Sequence, residues 1–291
     1  MAKDSMLPVY AKALLKALPL GTRTGPDLPR RALDRSVPIE ADAYAGFTSV
    51  VGAGLSNIVH PGYLHVLAFP LSMQLLSDPE VPLPMMGMVH IGNRIDVLGP
   101  VHIGDSVDMH VELAGPFQHP SGTTIEVNVL MKVEGGLKLR ETSTYLAKGK
   151  KLPNAEPKDH APREEFIAPQ HTALWRLDPI IGKRYAHASG DYNPIHLNGL
   201  AAKGFGFPRV IAHGMYGASR ALSAVDTRLE SYRWDVSFAK PVLLPSTVGF
   251  AITEGRRHFA STFAVFDLKS GKPHILSEVS ELRDEVSELR D

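Results

Sequence analysis

Cysteine is absent from this 291-residue chain. The absence excludes a disulfide framework, a thiol nucleophile and thiolate metal sites. Net charge is absent as well, because 31 lysines and arginines balance 31 aspartates and glutamates. The chain therefore has no global field that would attract a polyanion such as nucleic acid. We predict no nucleic-acid partner.

Long apolar runs are also lacking. The longest apolar stretch, residues 62–76, is interrupted by His65, Pro70, Ser72 and Gln74, and it is shorter than the roughly 20 residues that span a bilayer. It predicts a buried helix and no membrane insertion. The N-terminus shows no apolar core followed by a small-residue cleavage site, so we expect a cytoplasmic location.

Apolar residues are nevertheless plentiful, at 44%, against 21% charged residues. This composition is typical of a globular protein with a substantial core, and the length favours two modest domains over one. Residues 149–165 are rich in proline and charge, which is typical of a linker. We therefore expect domains at 1–148 and 166–291.

The two sides of this linker resemble one another. Residues 95–111 align with 236–252 at an offset of 141 residues, which matches Pro100 with Pro241. The same offset also matches Tyr44 with Tyr185. At a slightly different offset, the apolar residues 67–75 face 210–218. Each half is predicted to run from a polar loop through an apolar helix into several strands.

The predicted strands are 107–114, 122–134 and 138–147 in the first half, and 234–240, 247–255, 258–268 and 273–282 in the second. Their alternation suits an antiparallel sheet with one face on a helix. We therefore predict two α+β units joined edge to edge as a covalent pseudo-dimer, which would cover exposed sheet edges. Residues 9–18 predict a short amphipathic helix. A seven-residue sequence is repeated twice in residues 278–291, and it predicts a final strand or a frayed helix.

The segment Gly-Asp-Tyr-Asn-Pro-Ile-His, residues 190–196, has the composition of a turn. Pro194 also disfavours helical backbone at Asn193. Such a loop can bring the Asp191 carboxylate and the His196 imidazole to one point, where both could act on one water as general acid and base. The alternative is an ordinary turn beside a hydrogen-bonded histidine.

Gly214 marks the point at which a polar loop passes into an apolar helix. Its amide is expected to lie at the positive end of that helix, with no side chain blocking a ligand. An amide in this position suits a thioester carbonyl oxygen, which gains negative charge as an enolate-like transition state forms.

These residues resemble a known family. Residues 190–196 match the Gly-Asp-x-Asn-Pro-x-His motif of the MaoC-like and (R)-specific enoyl-CoA hydratases, and 212–215 match the Ala-His-Gly-Met that follows it. The resemblance implies a double hot-dog fold and the hydration of trans-2-enoyl thioesters, or the reverse dehydration of (R)-3-hydroxyacyl thioesters, in fatty acid metabolism. It implies no cofactor and no metal.

The resemblance also implies residue roles. Asp191 and His196 would hold and activate the water, Asn193 and Gly190 would order the loop, and Gly214 would bind the thioester oxygen. Related hydratases often carry a serine further along the helix, and two serines flank that position, Ser219 and Ser223. The substrate would be an acyl-CoA or an acyl-acyl carrier protein, and a homodimer is possible.

The first half aligns Val50 with Asp191 and Leu55 with His196, so it cannot run the same chemistry. The resemblance implies that this half shapes the acyl pocket instead, and we expect one active site per chain. The candidates for that pocket are Met85, Met86, Met88, His90 and Asn93, for which plain core packing is the alternative.

Two other functions stay open. A hot-dog acyl thioesterase would direct water at the carbonyl carbon rather than the double bond and would release free thiol. A non-catalytic acyl-binding subunit would bind the thioester without turnover. The retention of the Asp191 and His196 pair in one half argues against the second.

Overall fold

The computed structural model describes residues 27–54, 56–159, 165–225, 229–254 and 261–282. The expected helix at 9–18, Leu55, part of the expected linker, the start of the strand predicted at 258–268 and most of the duplicated heptad lie outside these residues. None of the described helices is both long and apolar enough to cross a membrane.

The described part of the first half contains five strands and two helices. In chain order they are β1 (Ala32–Pro38), α1 (Ala41–Val51), α2 (Pro61–Leu76), β2 (Val89–Val97), β3 (Ser106–His119), β4 (Gly122–Val133) and β5 (Gly136–Lys148). The predicted buried helix and the three strands predicted in this half are present.

The second half repeats this order with an added loop. Its elements are β6 (Ala173–Leu177), α3 (Ile180–Ser189), a 3₁₀ turn (Pro194–His196), α4 (Gly199–Gly204), α5 (Gly214–Leu222), β7 (Tyr232–Phe238), β8 (Ser246–Glu254), β9 (Ser261–Asp267) and β10 (Pro273–Glu281). The strands β1, β2 and β6 were not among the predicted strands.

All ten described strands form one antiparallel sheet in the order β1-β3-β4-β5-β2-β7-β10-β9-β8-β6. The central pair, β2 and β7, joins the two halves edge to edge. In the first half α2 packs on β3 and β1, and in the second α5 packs on β9 and β10. The predicted α+β architecture, with a sheet wrapped around a helix in each repeat, is confirmed.

A local two-fold axis passes between β2 and β7. At the offset of 141 residues, Asp235 is the repeat equivalent of Arg94, and the Arg94 Nε lies 2.7 Å from the Asp235 Oδ1. In a homodimer of identical chains the residue at this position would face its own copy. The duplication has therefore replaced a like pair by an ion pair, although both side chains are exposed and such pairs contribute little stability.

The segments at 44–52 and 185–193 correct one prediction, because most of each is helix rather than polar loop. The buried positions of α1 are Tyr44, Phe47, Thr48 and Val51, and those of α3 are Gly182, Tyr185, Ala186 and Ser189. Both sets have the spacing i, i+3, i+4, i+7 of a one-sided helix. The pattern was obscured because several of these residues are small or polar.

The alignment of the two buried helices is also corrected. His60 immediately precedes α2 and His213 immediately precedes α5, so these two histidines are equivalent. The neighbouring backbone agrees, because the Val59 N–H donates to the Val101 carbonyl as the Ala212 N–H donates to the Val242 carbonyl. The pairing of 67–75 with 210–218 was therefore wrong.

The Asp191 loop has no counterpart in the first half. Phe47 of α1 packs on His60 as Tyr185 of α3 packs on His213, with ring centroids 5.7 and 4.9 Å apart. From Phe47 the chain needs only residues 48–59 to reach His60, whereas residues 186–212 separate Tyr185 from His213. Val50 lies within α1, so its alignment with Asp191 was wrong.

Candidate active site

The loop after α3 is shaped by its own backbone and side chains. Gly190 ends the helix in the left-handed conformation, at φ 76°, and its N–H donates to the Ala186 carbonyl. The Asn193 N–H then donates to Asp191 Oδ1 at 3.0 Å, and Asn193 Oδ1 accepts from the Ile195 N–H at 3.3 Å. These contacts turn the chain sharply and carry His196 back toward Asp191.

His196 is held in one tautomer. Its Nδ1 donates to the Ile211 carbonyl at 2.8 Å, so in the neutral ring the lone pair lies on Nε2. Burial lowers the pKa of His196 below its ordinary value, against the opposing effect of the Asp191 carboxylate. The ring is therefore neutral near pH 7 and able to accept a proton at Nε2.

His213 supports both residues. Its ring stacks on the His196 ring with centroids 3.7 Å apart, and its Nε2 donates to the Asp191 carbonyl at 3.0 Å. Burial, and next the neighbouring His196, lower the pKa of His213 to about 3. A neutral His213 can thus hold the Asp191 backbone without adding positive charge to the site.

Asp191, His196 and His213 bring one ligand atom each within 4.8 Å of one another, a set that raises the question of a metal ion. The two imidazole rings are inclined by only 25°, so their in-plane lone pairs run side by side. One ion cannot lie in both ring planes at the roughly 2.1 Å that a metal–imidazole bond requires. The geometry fits the binding of a water better than the binding of a metal.

Gly214 is the first residue of α5, so its N–H has no acceptor within the helix. A Cβ at this position would lie 2.8 Å from the Phe238 ring of β7. The predicted reason for glycine was access for a ligand, and the structure adds a second reason, which is close packing against Phe238. Gly214 lines the same cavity as Asp191 and His196.

That cavity has a volume of about 1310 Å³ and extends from the second repeat into the first. Four of the five predicted pocket residues line it, together with one face of α2: Met85, Met86, Met88, His90, His65, Phe69, Met73 and Leu76. Asn93 lies behind this wall, with its Oδ1 3.1 Å from the Ser143 Oγ. The shape suits a ligand with a long apolar tail.

Ser219 and Ser223 are not brought to the cavity. Ser223 Oγ donates to the Ser219 carbonyl and lies 3.4 Å from the Nε2 of His60, so both serines pack against the start of α2. Trp234 fills the space next to the start of α2. Its side chain is fully buried, and its ring meets the His60 ring edge to face with centroids 6.2 Å apart. The start of α5 opens to the cavity, whereas the equivalent point in the first repeat is closed.

Several residues around the cavity were missed from the sequence, namely Phe238, His65 and Glu141. Glu141 is almost completely buried, at 3% exposure, and forms an ion pair with His65. A signal was present, because Glu141 shares the inward-facing alternation of β5 with Leu139, Ser143 and Tyr145. A carboxylate at an inward strand position is rare unless it is paired.

Gly214→Ala is expected to lower kcat/KM for an acyl thioester by about 100-fold, because the added Cβ must displace either Phe238 or the helix start, and a shift near 1 Å is enough for such a loss. Steady-state kinetics on the purified variant measure the effect. Phe238→Leu in the Gly214→Ala background removes the ring and should restore part of the rate. Full activity in the single variant would contradict the role given to Gly214.

Comparisons with known proteins agree with this description. Residues 168–265 match the model of the MaoC like domain. The chain is 33% identical over 281 residues to 3-hydroxyacyl-thioester dehydratase X of Mycobacterium tuberculosis, covering 96% of this chain and 99% of that protein.

Solved structures share the whole fold. The crystal structure of HtdX from Mycobacterium tuberculosis superposes with a TM-score of 0.76 at 31% identity, covering 87% of this chain and 100% of that one. A MaoC-like dehydratase from Phytophthora capsici superposes with a TM-score of 0.71 and covers 88% of this chain and 97% of that one. Its identity is 18%, so this second likeness concerns the fold alone.

Proposed function

This chain belongs to the MaoC-like dehydratase family, and from that premise we propose that it interconverts trans-2-enoyl thioesters and (R)-3-hydroxyacyl thioesters at Asp191 and His196. The chain is a hydro-lyase of the 3-hydroxyacyl-thioester dehydratase type, acting in fatty acid metabolism. The family and reaction class predicted from the motif are confirmed. The residue roles, the (R) configuration and the carrier are our proposal.

Two acceptors converge on one point in the cavity, and this observation carries the proposal. The Nε2 of His196 and the Asp191 carboxylate can each accept a hydrogen from one water, because the Nδ1 of His196 already donates to Ile211. A water held by both its hydrogens presents its oxygen lone pair to C3 of a bound enoyl group. Near-attack orientation of this kind removes much of the entropic part of a barrier.

The protons balance within the dyad. In the hydration direction the water oxygen bonds to C3 and one water proton passes to the His196 Nε2, while the C2=C3 electron pair moves toward C2 and the thioester oxygen. The Gly214 N–H donates to that oxygen as it gains charge. Return of a proton from the dyad to C2 completes the addition of H and OH and restores the starting protonation state. Dehydration follows the same steps in reverse.

The substrate is an acyl thioester, with coenzyme A and acyl carrier protein as the two proposed carriers. The cavity reaches far into the first repeat along α2, which favours an acyl tail of medium or greater length. The homodimer and the cytoplasmic location expected from the sequence stay predictions.

The test is to mix the purified chain with crotonyl-CoA and with a longer trans-2-enoyl-CoA. We expect loss of the enoyl-thioester ultraviolet absorbance, recovery of the (R)-3-hydroxyacyl ester on chiral analysis, and a faster rate for the longer chain. Release of free thiol would instead identify a thioesterase. Binding without any change in either ester, or in its acyl carrier protein form, would identify an acyl-binding subunit.

A further inference from the structure

A second group of polar side chains lies at the wall that the first repeat gives to the same cavity. Three of its members, His65, His90 and Tyr145, line the cavity, and the others lie behind them. We name it the first-repeat polar cluster, and it consists of His65, His90, Asn93, Glu141, Ser143 and Tyr145. The Glu141 carboxylate accepts from His65 Nδ1 and, at 3.0 Å, from the Ser143 hydroxyl. Burial alone would raise the pKa of Glu141, but His65 and the hydrogen bonds lower it below its ordinary value, so the carboxylate is charged.

His90 lies close to the thioester site. Its ring stacks on Tyr145 with centroids 4.7 Å apart and lies parallel to the His65 ring at 5.9 Å. On another side it meets the Phe238 ring at 5.0 Å. Because Phe238 also packs against Gly214, one aromatic ring separates His90 from the amide assigned to the thioester oxygen.

The cluster has more acceptors than donors. The Nε2 of His90 and the Oε2 of Glu141 are buried and have no hydrogen-bond partner among the described residues. Burial lowers the pKa of His90 to about 3, and its remaining nitrogen bonds the Gly92 backbone, so Nε2 of the neutral ring is an acceptor. A buried acceptor without a donor lowers the stability of the fold. What both atoms require is a hydrogen-bond donor.

The fold itself does not require this cluster. The strand registers and the helix starts make four residues of the second repeat equivalent to His65, Asn93, Glu141 and Ser143, and these are Ala218, Trp234, Ser277 and Val279. There Trp234 fills the space and donates to Ser277 Oγ at 2.9 Å. Since burying an ion pair is often less favourable than apolar packing, the retention of charge on the cavity side points to a ligand.

The position of the cluster shows which part of the ligand it meets. His65 shares one face of α2 with Phe69, Met73 and Leu76, and all four residues line the cavity. The apolar compartment lined by Met73 and Met85 therefore begins at the polar cluster. A chain running from the dyad into that compartment passes His90 and His65 first.

We propose that the first-repeat polar cluster binds a hydroxyl group carried on the acyl tail beyond C3, with the His90 Nε2 accepting its hydrogen. The substrates of this chain are then hydroxylated acyl thioesters in preference to plain ones. A keto group at the same carbon has no hydrogen to donate and is rejected. This inference rests on the proposed function and specifies its substrate class.

The experiment uses saturated acyl-CoA esters, which cannot be hydrated, so that binding is read without turnover. For one chain length, the set contains the plain ester, esters with a single hydroxyl at successive tail carbons, and the matching keto esters. Calorimetry on the full chain is expected to show one hydroxyl position that binds at least about tenfold more tightly than its keto isomer and more tightly than the plain ester.

His90→Phe keeps the ring stack on Tyr145 but removes the acceptor, and it should bring the affinity for the preferred hydroxyl ester down to that of the plain ester. Glu141→Gln provides a second variant, in which the preference should shrink. Met73→Leu is the matched control in the apolar compartment and should keep the hydroxyl-to-keto ratio.

Two results would overturn the inference. One is the absence of any hydroxyl position preferred over both its keto isomer and the plain ester. The other is an equal loss of affinity for plain and hydroxylated esters in His90→Phe, since this would assign His90 to the pantetheine arm. Hydration of plain enoyl-CoA is measured in parallel, and its absence from the unaltered chain would count against the proposed function instead.

Discussion

Asp191→Asn is expected to lower kcat/KM for trans-2-enoyl thioesters by at least about 100-fold, the lower part of the range for loss of a general acid or base. The asparagine can still accept from the Asn193 N–H and keep the loop shape. It cannot offer two charged acceptor oxygens, because one carboxylate oxygen is replaced by an amide nitrogen, which donates hydrogen bonds and cannot accept one from the water. The loss should therefore fall on turnover rather than on folding.

His196→Ala removes the other acceptor and should cost a similar factor. Because the two groups act on one water, the double variant should be little worse than either single variant. Steady-state kinetics measure the losses, and circular dichroism checks that each variant is folded. Ser223→Ala is the matched control, since Ser223 lies at the C-terminal end of α5 and outside the cavity. Folded variants of Asp191 or His196 with near-normal rates would remove the dyad from the mechanism.

Local chemistry explains why the loop at 190–196 was predictable. Gly190, Asn193 and Pro194 each restrict the backbone through their own covalent structure or through a hydrogen bond two residues away. Such signals survive in a single sequence because they depend on no distant partner. The same holds for the start of α5, where His213 and Gly214 stand next to each other.

Long-range packing explains what was missed. The offset between the repeats is 141 residues at Pro100 but differs at the buried helices, because the Asp191 loop is an addition to the second repeat. An ungapped comparison of the halves cannot show this. The ion pair of His65 with Glu141 joins residues that are 76 positions apart, and nothing near either residue in the sequence predicts the other.

The duplication has divided the work between two similar units. In the second repeat the start of α5 is open to the cavity, and the added loop carries Asp191 and His196, the proposed acid and base. In the first repeat Trp234 closes the equivalent point, while the space along α2 remains open as a tail compartment. One chain thus combines the proposed reactive site of one repeat with the binding cavity of the other. A dimer of two identical copies would carry both features in each copy.

The same burial that prepares the site should make the protein sensitive to acid. Four histidines are buried and neutral, with pKa values lowered from 6.5 chiefly by burial: His60 to about 4, His90 and His213 to about 3, and His196 to below its ordinary value. In the unfolded chain they titrate near 6.5. Below that pH the unfolded state binds more protons than the folded state, so the free energy of unfolding falls as the pH falls.

Each such proton changes the free energy of unfolding by about 1.4 kcal/mol per pH unit, so four together approach about 5 kcal/mol per unit between the unfolded and folded pKa values. Total stabilities of roughly 5 to 15 kcal/mol imply that the fold is lost between about pH 6 and 4. Urea titrations from pH 8 to pH 5 measure the slope. His90→Phe should lower it by about one proton, because phenylalanine does not titrate in either state. A free energy of unfolding that stays constant from pH 7 to pH 5 would show that these histidines are protonated in the folded protein, and the neutral Nε2 acceptor of His196 would then lose its physical basis.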